Sequence, residues 1–205
     1  MEGQEYLNQI SASNRPAKGS GLGGILSSKF FWVGMIGVAV LIIILIIGSL
    51  IGGTGKKVSD QGLVLALKLH IEGTSSVINE YQPKVKSSNL RSSSASLSSV
   101  LNNTRGELDV YLTNNPPGKD DQKSLQEPAD QAREELRNEL FEAKINGKLD
   151  RVYAHKMAYE ISLITTEETR IYETTKDDTL KEIIGTSYDS LENLYNAFYD
   201  FSETK

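Results

Sequence analysis

The chain has 205 residues and a formal net charge of −5 at pH 7, with 27 acidic side chains against 22 basic ones. This mild acidity argues against nucleic-acid binding, which needs a clustered basic surface. The sequence contains no cysteine, which excludes disulfides, cysteine nucleophiles, thiolate zinc sites and iron–sulfur ligation.

Residues 1–29 form a tail rich in Gly, Ser, Asn and Gln that shows no hydrophobic period. This composition predicts disorder, because such a segment has too little apolar surface to bury. Two roles fit the tail: a docking peptide for a partner, or a solvated leader that spaces the segment after it. We favour the leader.

Residues 30–51 form one unbroken apolar run in which only Ser49 is clearly polar and no side chain is charged. A helix of this length extends about 33 Å, enough to cross a hydrocarbon core of about 30 Å. Phe30, Phe31 and Trp32 stand at one end, where an aromatic belt lies in membrane proteins. The run therefore predicts a single transmembrane helix with the lipid bilayer as its partner.

The run is longer than the apolar part of a cleaved signal peptide, about 7–15 residues, and no A-x-A-like site follows it. An uncleaved signal anchor is the expectation, and a cleaved signal peptide is the alternative. Equal numbers of basic residues flank the run: Arg15, Lys18 and Lys29 before it, and Lys56, Lys57 and Lys68 after it. The positive-inside rule therefore leaves the orientation open. A cytoplasmic N terminus and an extracytoplasmic C-terminal domain are expected from the usual topology of N-terminal anchors.

Gly48 and Gly52 form a G-x-x-x-G pair at the end of the run. Such a pair lets two membrane helices pack closely and form a homo-oligomer, although glycine is also common in membrane helices in general. Residues 52–57 follow as a glycine-rich joint, since each glycine weakens a helix by about 1 kcal/mol. Residues 58–205 are the predicted folded domain.

Five helices are predicted in this domain from apolar residues that recur at intervals of three and four. The first ends before Pro83, the next three span about 84–114, 121–145 and 148–174, and the fifth carries its stripe from Leu180 to Phe201. No alternating β pattern is found after residue 56. The fold class is therefore all-α: an antiparallel bundle of four to five helices after the transmembrane helix.

Several details of these helices are also predicted. The third helix is expected to face inward with Leu125, Ala129, Ala132, Leu136, Leu140 and Ala143. A serine-rich stretch at 92–99 is either modified or a solvated or closely packed small-residue face, and we favour the second interpretation. In the fifth helix Tyr188, Tyr195 and Tyr199 widen the apolar stripe. They either bind an apolar ligand or a partner helix, or belong to the core, which we favour.

Helical bundles sometimes hold metals with Glu-x-x-His pairs, so the two histidines were tested for this spacing. His70 and His155 both lack a glutamate three residues before them. His70 lies on the inward stripe of the first helix, and Glu160 and Glu167 lie along that of the fourth. These three could bind a divalent ion, but we favour a hydrogen-bonded core histidine with carboxylates at the edge of the stripe. His155 is expected at the surface.

No other chemistry is indicated by the sequence. It has no G-x-S-x-G motif for a serine hydrolase and no glycine loop with the spacing of a phosphate site. We therefore expect no enzyme, no catalytic, cofactor-binding or metal-binding residues, and no cofactor.

A resemblance to a known family begins at the fourth helix. Residues 149–153, Leu-Asp-Arg-Val-Tyr, with Met157 four residues further on, resemble the phenylalanine-aspartate-arginine-alanine-tyrosine signature of a family of ferritin-like, predicted exported bacterial proteins. Residues 177–181, followed by Leu191, are similar to the last helix of that family. The resemblance covers residues 60–202 loosely, including the order of five helices and the loop after the second.

The resemblance implies a ferritin-like fold and an extracytoplasmic domain, but no activity. Where the fourth and fifth helices of that family usually carry histidines, this chain has Ile161 and Leu194. A metal role is therefore not carried over.

Together these features predict a membrane-anchored, extracytoplasmic helical bundle of a bacterium that acts as a structural or protein-interaction module at the envelope. The first alternative is a sensor or small-ligand-binding bundle. The second is a ferritin-like metal-binding protein, which is disfavoured because the ligands are missing.

Overall fold

The computed structural model of the protein describes residues 59–203. The predicted tail (1–29), the predicted membrane span (30–51) and the glycine-rich joint (52–57) lie outside the described residues, and so does the Gly48–Gly52 pair. Within residues 59–203, no helix combines the length and the apolar character needed to cross a membrane.

Five α-helices account for most of residues 59–203, and this part of the chain contains no β-strand. They are α1 (Asp60–Tyr81), α2 (Ser88–Asn114), α3 (Lys119–Ile145), α4 (Leu149–Thr174) and α5 (Asp178–Glu203). The predicted all-α helical bundle is confirmed. The finer prediction of a ferritin-like bundle stays a prediction.

Four of the helices pack as a ring in the order α1, α2, α5, α4, and α3 lies outside the ring against α1 and α4. Because each helix reverses the direction of the one before it, ring neighbours run antiparallel. In contrast, α3 runs parallel to α1. The hydroxyl of Ser59 donates to Asp121 at one end of this pair (2.8 Å), and the hydroxyl of Tyr81 donates to the carbonyl of Arg137 towards the other (3.0 Å).

Local sequence signals fix the helix ends. The side chain of Ser59 caps α1 by accepting from the amide of Gly62, and Asp177 caps α5 by accepting from the amide of Leu180. At the end of α3, Gly147 has a φ of 68°, and the amide of Lys148 donates to the carbonyl of Ala143 (2.9 Å). Asn146-Gly147 thus forms a glycine-terminated helix end of a common type.

The predicted start of the second helix at residue 84 is wrong. Pro83 lies in a 3₁₀ turn, Gln82–Lys84, and α2 begins four residues later at Ser88. The delay has a tertiary cause, because the carboxylate of Asp150 on α4 accepts from the amides of Lys86 and Ser87 (2.9 and 2.8 Å). Residues 85–87 are held in an extended connection by this contact, and Ser87 then caps α2.

The predicted inward face of α3 is only partly right. Leu125, Leu136, Leu140 and Ala143 are buried, whereas Ala132 is exposed and Ala129 is half-buried. Because α3 packs on the outer surface of the ring, its buried stripe is narrower than the sequence suggested. Pro128 lies inside α3, where its missing N–H removes one helical hydrogen bond.

The core lies inside the ring and is largely apolar. Its largest fully buried side chains include Tyr81, Tyr153 and Phe198. The tyrosines of α5 do not join the core as a set: Tyr188 and Tyr195 are half-buried, and Tyr199 is 46% exposed with its ring stacked on Tyr195. Placing Tyr199 in the core was wrong, because it lies about 100° around α5 from the fully buried Phe198 and so faces away from the ring.

Candidate functional site

His70 is the centre of a polar cluster between α1 and α4. Its Nε2 lies 2.8 Å from Oε2 of Glu160, and its Nδ1 lies 3.1 Å from both carboxylate oxygens of Glu167. The two glutamates are seven residues apart, so they lie on the same face of α4, two turns from each other. Thr74, one turn after His70, makes a longer contact with Glu160 (3.4 Å). We call these four residues the His70 cluster.

The two contacts of His70 determine its protonation. Only the imidazolium form has an N–H on both ring nitrogens, so donation to two carboxylates at once requires the charged ring. Burial alone would lower the pKa of His70. The carboxylate of Glu167, and the hydrogen bonds to Glu160 and Glu167, outweigh burial and raise this pKa well above 6.5. The side chain keeps 19% of its surface exposed.

The geometry fits an ion cluster better than a metal site. Residues 59–203 contain no group of three or more His, Asp or Glu side chains placed to hold a metal ion. In the His70 cluster each ring nitrogen faces a carboxylate, and a protonated nitrogen has no lone pair to give a metal. The favoured interpretation of His70 as a hydrogen-bonded core histidine is right about its hydrogen bonds, but His70 is half-buried at the edge of the core. His155, expected at the surface, is half-buried.

A second polar cluster lies inside the ring, and sequence reasoning missed it. Glu168 is completely buried (0% exposed), close to Ser187 of α5, whose hydroxyl lies 2.9 Å from that of Thr104 on α2. Among residues 59–203, neither carboxyl oxygen of Glu168 has a hydrogen-bond partner. We call Thr104, Glu168 and Ser187 the Glu168 cluster.

The buried carboxyl of Glu168 is uncharged at neutral pH. Burial raises its pKa from 4.5 to about 8; the Ser187 hydroxyl opposes this shift, and the carboxylate of Glu167 adds to it. A protonated carboxyl can donate one hydrogen bond and accept others. The cluster therefore stores a proton and leaves hydrogen-bonding capacity unused in the core.

A signal for Glu168 was present in the sequence. Ile161, Ile164, Glu168 and Ile171 follow one another at intervals of three, four and three, and all four are buried. Glu168 thus occupies an apolar position of the α4 stripe. The row through Glu160 and Glu167, by contrast, lies at the edge of the same face.

The serine-rich stretch, residues 92–99, has a buried face that contains Ser94. Its hydroxyl donates to the carbonyl of Leu90 (2.6 Å) and accepts from the hydroxyl of the buried Tyr153 (2.9 Å). Ser94 is fully buried, whereas Ser92, Ser96 and Ser99 are exposed. One face of the stretch is therefore closely packed and the opposite face is solvated, as the favoured interpretation proposed.

The two clusters together form a polar layer across the ring. Each of its four helices contributes: α1 with His70 and Thr74, α2 with Thr104, α4 with Glu160, Glu167 and Glu168, and α5 with Ser187. Consecutive residues of α4, Glu167 and Glu168, join the clusters. The surroundings of two groups in the layer raise their pKa values, that of His70 well above 6.5 and that of Glu168 to about 8.

Compared with models of protein families, with curated proteins and with solved structures, the chain matches none of them. The resemblance to ferritin-like exported proteins accordingly stays a prediction. At the two positions where that family carries histidines, the structure has a buried Ile161 and a half-buried Leu194. Both positions contribute to apolar packing instead of ligation.

Proposed function

We propose that this protein is a membrane-anchored module whose helical bundle acts outside the cytoplasm by contact with another protein. The apolar run of residues 30–51 supports the anchor, since a 22-residue uncharged segment is long enough to span a bilayer. The ring of antiparallel helices is compatible with the ferritin-like, exported fold that the resemblance implies. The proposed role is not catalytic.

The observation that carries the interaction role is an exposed apolar pair on α3. Phe141 is 53% exposed and Ile145 is 68% exposed. They are four residues apart and so lie next to each other on one face of the helix. Large apolar side chains that are adjacent and open to solvent are typical of contact surfaces, whereas single ones are common on any protein.

The position of the pair also suits a contact surface. Because α3 runs parallel to α1, its last turn lies at the end of the bundle opposite Ser59. The pair is followed directly by the Asn146-Gly147 turn, so no further helical turn covers it. A partner can therefore reach it without displacing another element of the bundle.

A sensor that binds a small polar ligand is the second candidate function. Glu168 favours it, because a buried carboxyl without a partner would gain hydrogen bonds from a ligand that reached Thr104 and Ser187. A ferritin-like metal-binding role has less support, since Ile161 and Leu194 offer no ligand atoms.

Protease accessibility on intact cells tests the anchored topology. Digestion of residues 58–205 from outside is expected, because the proposal places the bundle outside the cytoplasm. A cytoplasmic protein of the same cell serves as the control and must remain intact. If the bundle is digested only after the membrane is broken, the orientation is reversed and the extracytoplasmic role is wrong.

Site-specific photo-crosslinking tests the contact surface. A photoreactive phenylalanine analogue at position 141 is expected to capture a partner, and the same analogue at the exposed position 132 of α3 is the matched control. Capture of a second copy of the chain would show that the protein forms a homo-oligomer, which the Gly48–Gly52 pair also allows. Equal capture at both positions, or none at position 141, contradicts the proposal.

A further inference from the structure

His70 connects two helices through two bonds that depend on one proton. The charged ring donates to Glu160 from Nε2 and to Glu167 from Nδ1. A neutral ring has a single N–H and one bare nitrogen. One of the two carboxylates would then face a lone pair, and the contact would become repulsive.

The two glutamates are not equally dependent on His70. Glu160 has the shorter contact with the ring (2.8 Å) and also accepts from Thr74. Within the described part of the chain, His70 is the hydrogen-bond partner of Glu167, at 3.1 Å. The proton on Nδ1 is therefore the one expected to leave, and Glu167 is the residue expected to be released.

Other charged groups surround this part of α1. On α2, α3 and α4 these include Asp109, Asp130, Arg133, Glu160 and Glu167. Asp109 is paired with Lys68 of α1 (2.8 Å), and Arg133, which lies against Gly73, is paired with Asp130 (2.9 Å). Asp109 and Asp130 thus have basic partners of their own, and Glu160 and Glu167 share the charge of His70.

We propose that His70 is a pH-operated latch between α1 and α4. With both ring nitrogens protonated it holds the helices together through Glu160 and Glu167. When the pH rises and Nδ1 loses its proton, Glu167 is released and α1 loosens around His70. The apolar residues Val64, Leu67 and Ile71 keep α1 in the bundle, so the opening is local. The latch depends on the fold of residues 59–203 and not on the proposed membrane anchor.

Two measurements on the full-length chain in detergent micelles test the latch. NMR of the histidine side chains, with His155→Gln used for assignment, follows the titration of His70. Hydrogen exchange, corrected for the intrinsic effect of pH, follows the amides of α1 and α4 around His70, with α5 as the internal reference. We expect His70 to titrate above free histidine, about 6.5. It should become the Nε2–H tautomer, and protection of α1 should fall over the same pH range.

A matched pair of variants separates the latch from a general effect of charge. Glu167→Gln removes the charge opposite Nδ1, so the titration of His70 and the loss of α1 protection should both move to lower pH. Glu173→Gln changes the same charge at an exposed position of α4 and should move neither. A His70 that titrates at or below free histidine, an Nδ1–H tautomer, or α1 protection that is unchanged while the ring becomes neutral would each overturn the proposal.

Discussion

Glu167 and Glu168 are neighbours in the chain, yet the two clusters hold them in opposite states. Glu167 is partly exposed and balances the charge of His70. Glu168 points into the ring, has no hydrogen-bond partner among residues 59–203 and keeps its proton at neutral pH. The difference arises from about 100° of rotation around α4. It shows that the surroundings of a side chain, more than its type, decide whether it carries charge.

The largest effect is expected from Glu168→Gln, which removes the titration of the buried carboxyl. In the folded protein this group keeps its proton up to a pH of about 8, whereas in the unfolded chain it ionises near 4.5. Its contribution to stability is therefore fully present below pH 4.5 and is lost as the pH rises towards 8. Relative to the variant, the wild type should lose about 3 kcal/mol between pH 4.5 and pH 7.

Urea unfolding at several pH values measures this loss, and Glu173→Gln at the surface is the control. Parallel pH profiles for the wild type and Glu168→Gln would mean that Glu168 is ionised in the folded protein, and the contrast with Glu167 would disappear.

His70→Ala should have a smaller effect, because the carboxylates it leaves unpaired are still partly exposed, by 13% and 25%. We expect a loss of about 2 kcal/mol near pH 6. The pKa of His70 is raised, so its stabilising contribution is complete below 6.5 and is lost as the pH rises through the folded-state pKa. The cost of the substitution should therefore shrink at alkaline pH.

Adding Glu160→Gln and Glu167→Gln to His70→Ala provides the check on this prediction. The combined variant should recover part of the lost stability in urea unfolding, because two facing charges have been removed. No recovery would mean that His70 stabilises by packing and not by charge.

Ser187→Ala should cause a modest shift in the pKa of Glu168. The hydroxyl of Ser187 lowers the pKa of Glu168, so its removal should raise that pKa further. NMR of labelled glutamate carboxyls can follow the titration directly. Ser190→Ala, one turn away and bonded to its own helix backbone, is the control. A downward shift in Ser187→Ala would contradict the assigned role of the hydroxyl.

The smallest effect is expected on the pKa of Glu168 when its neighbour Glu167, which belongs to the His70 cluster, is changed. The charge of Glu167 raises the pKa of Glu168, so Glu167→Gln should lower it slightly. The same carboxyl NMR titration provides the measurement. If the pKa of Glu168 does not change, the clusters titrate independently and the polar layer does not act as one unit.

Structural features that depend on neighbouring residues in the sequence could be predicted, whereas features that depend on contacts between distant residues could not. The helices, the cap at Asp177 and the Asn146-Gly147 end follow from local patterns, and the structure has them in place. The start of α2 was missed because Asp150, 64 residues from Lys86 in sequence, holds the connection extended. No local pattern contains that contact.

The candidate site shows the same limit. The meeting of His70 with Glu160 and Glu167 could be anticipated, since both stripes were expected to face one core. Glu168 was overlooked because a glutamate is usually exposed, although its position among Ile161, Ile164 and Ile171 placed it inside. The protonation states required the distances themselves, since two hydrogen bonds at one imidazole cannot be deduced from spacing.

The placement of α3 outside the ring has a consequence for how the chain folds. It leaves two local hairpins, α1–α2 and α4–α5, whose contacts are close in sequence and therefore quick to form. The seams between the hairpins, α1–α4 and α2–α5, join residues roughly 80–100 positions apart and close the largest loops. We therefore expect the docking of the two hairpins to be the slow step in forming the native topology, with α3 as the tether that sets their effective concentration.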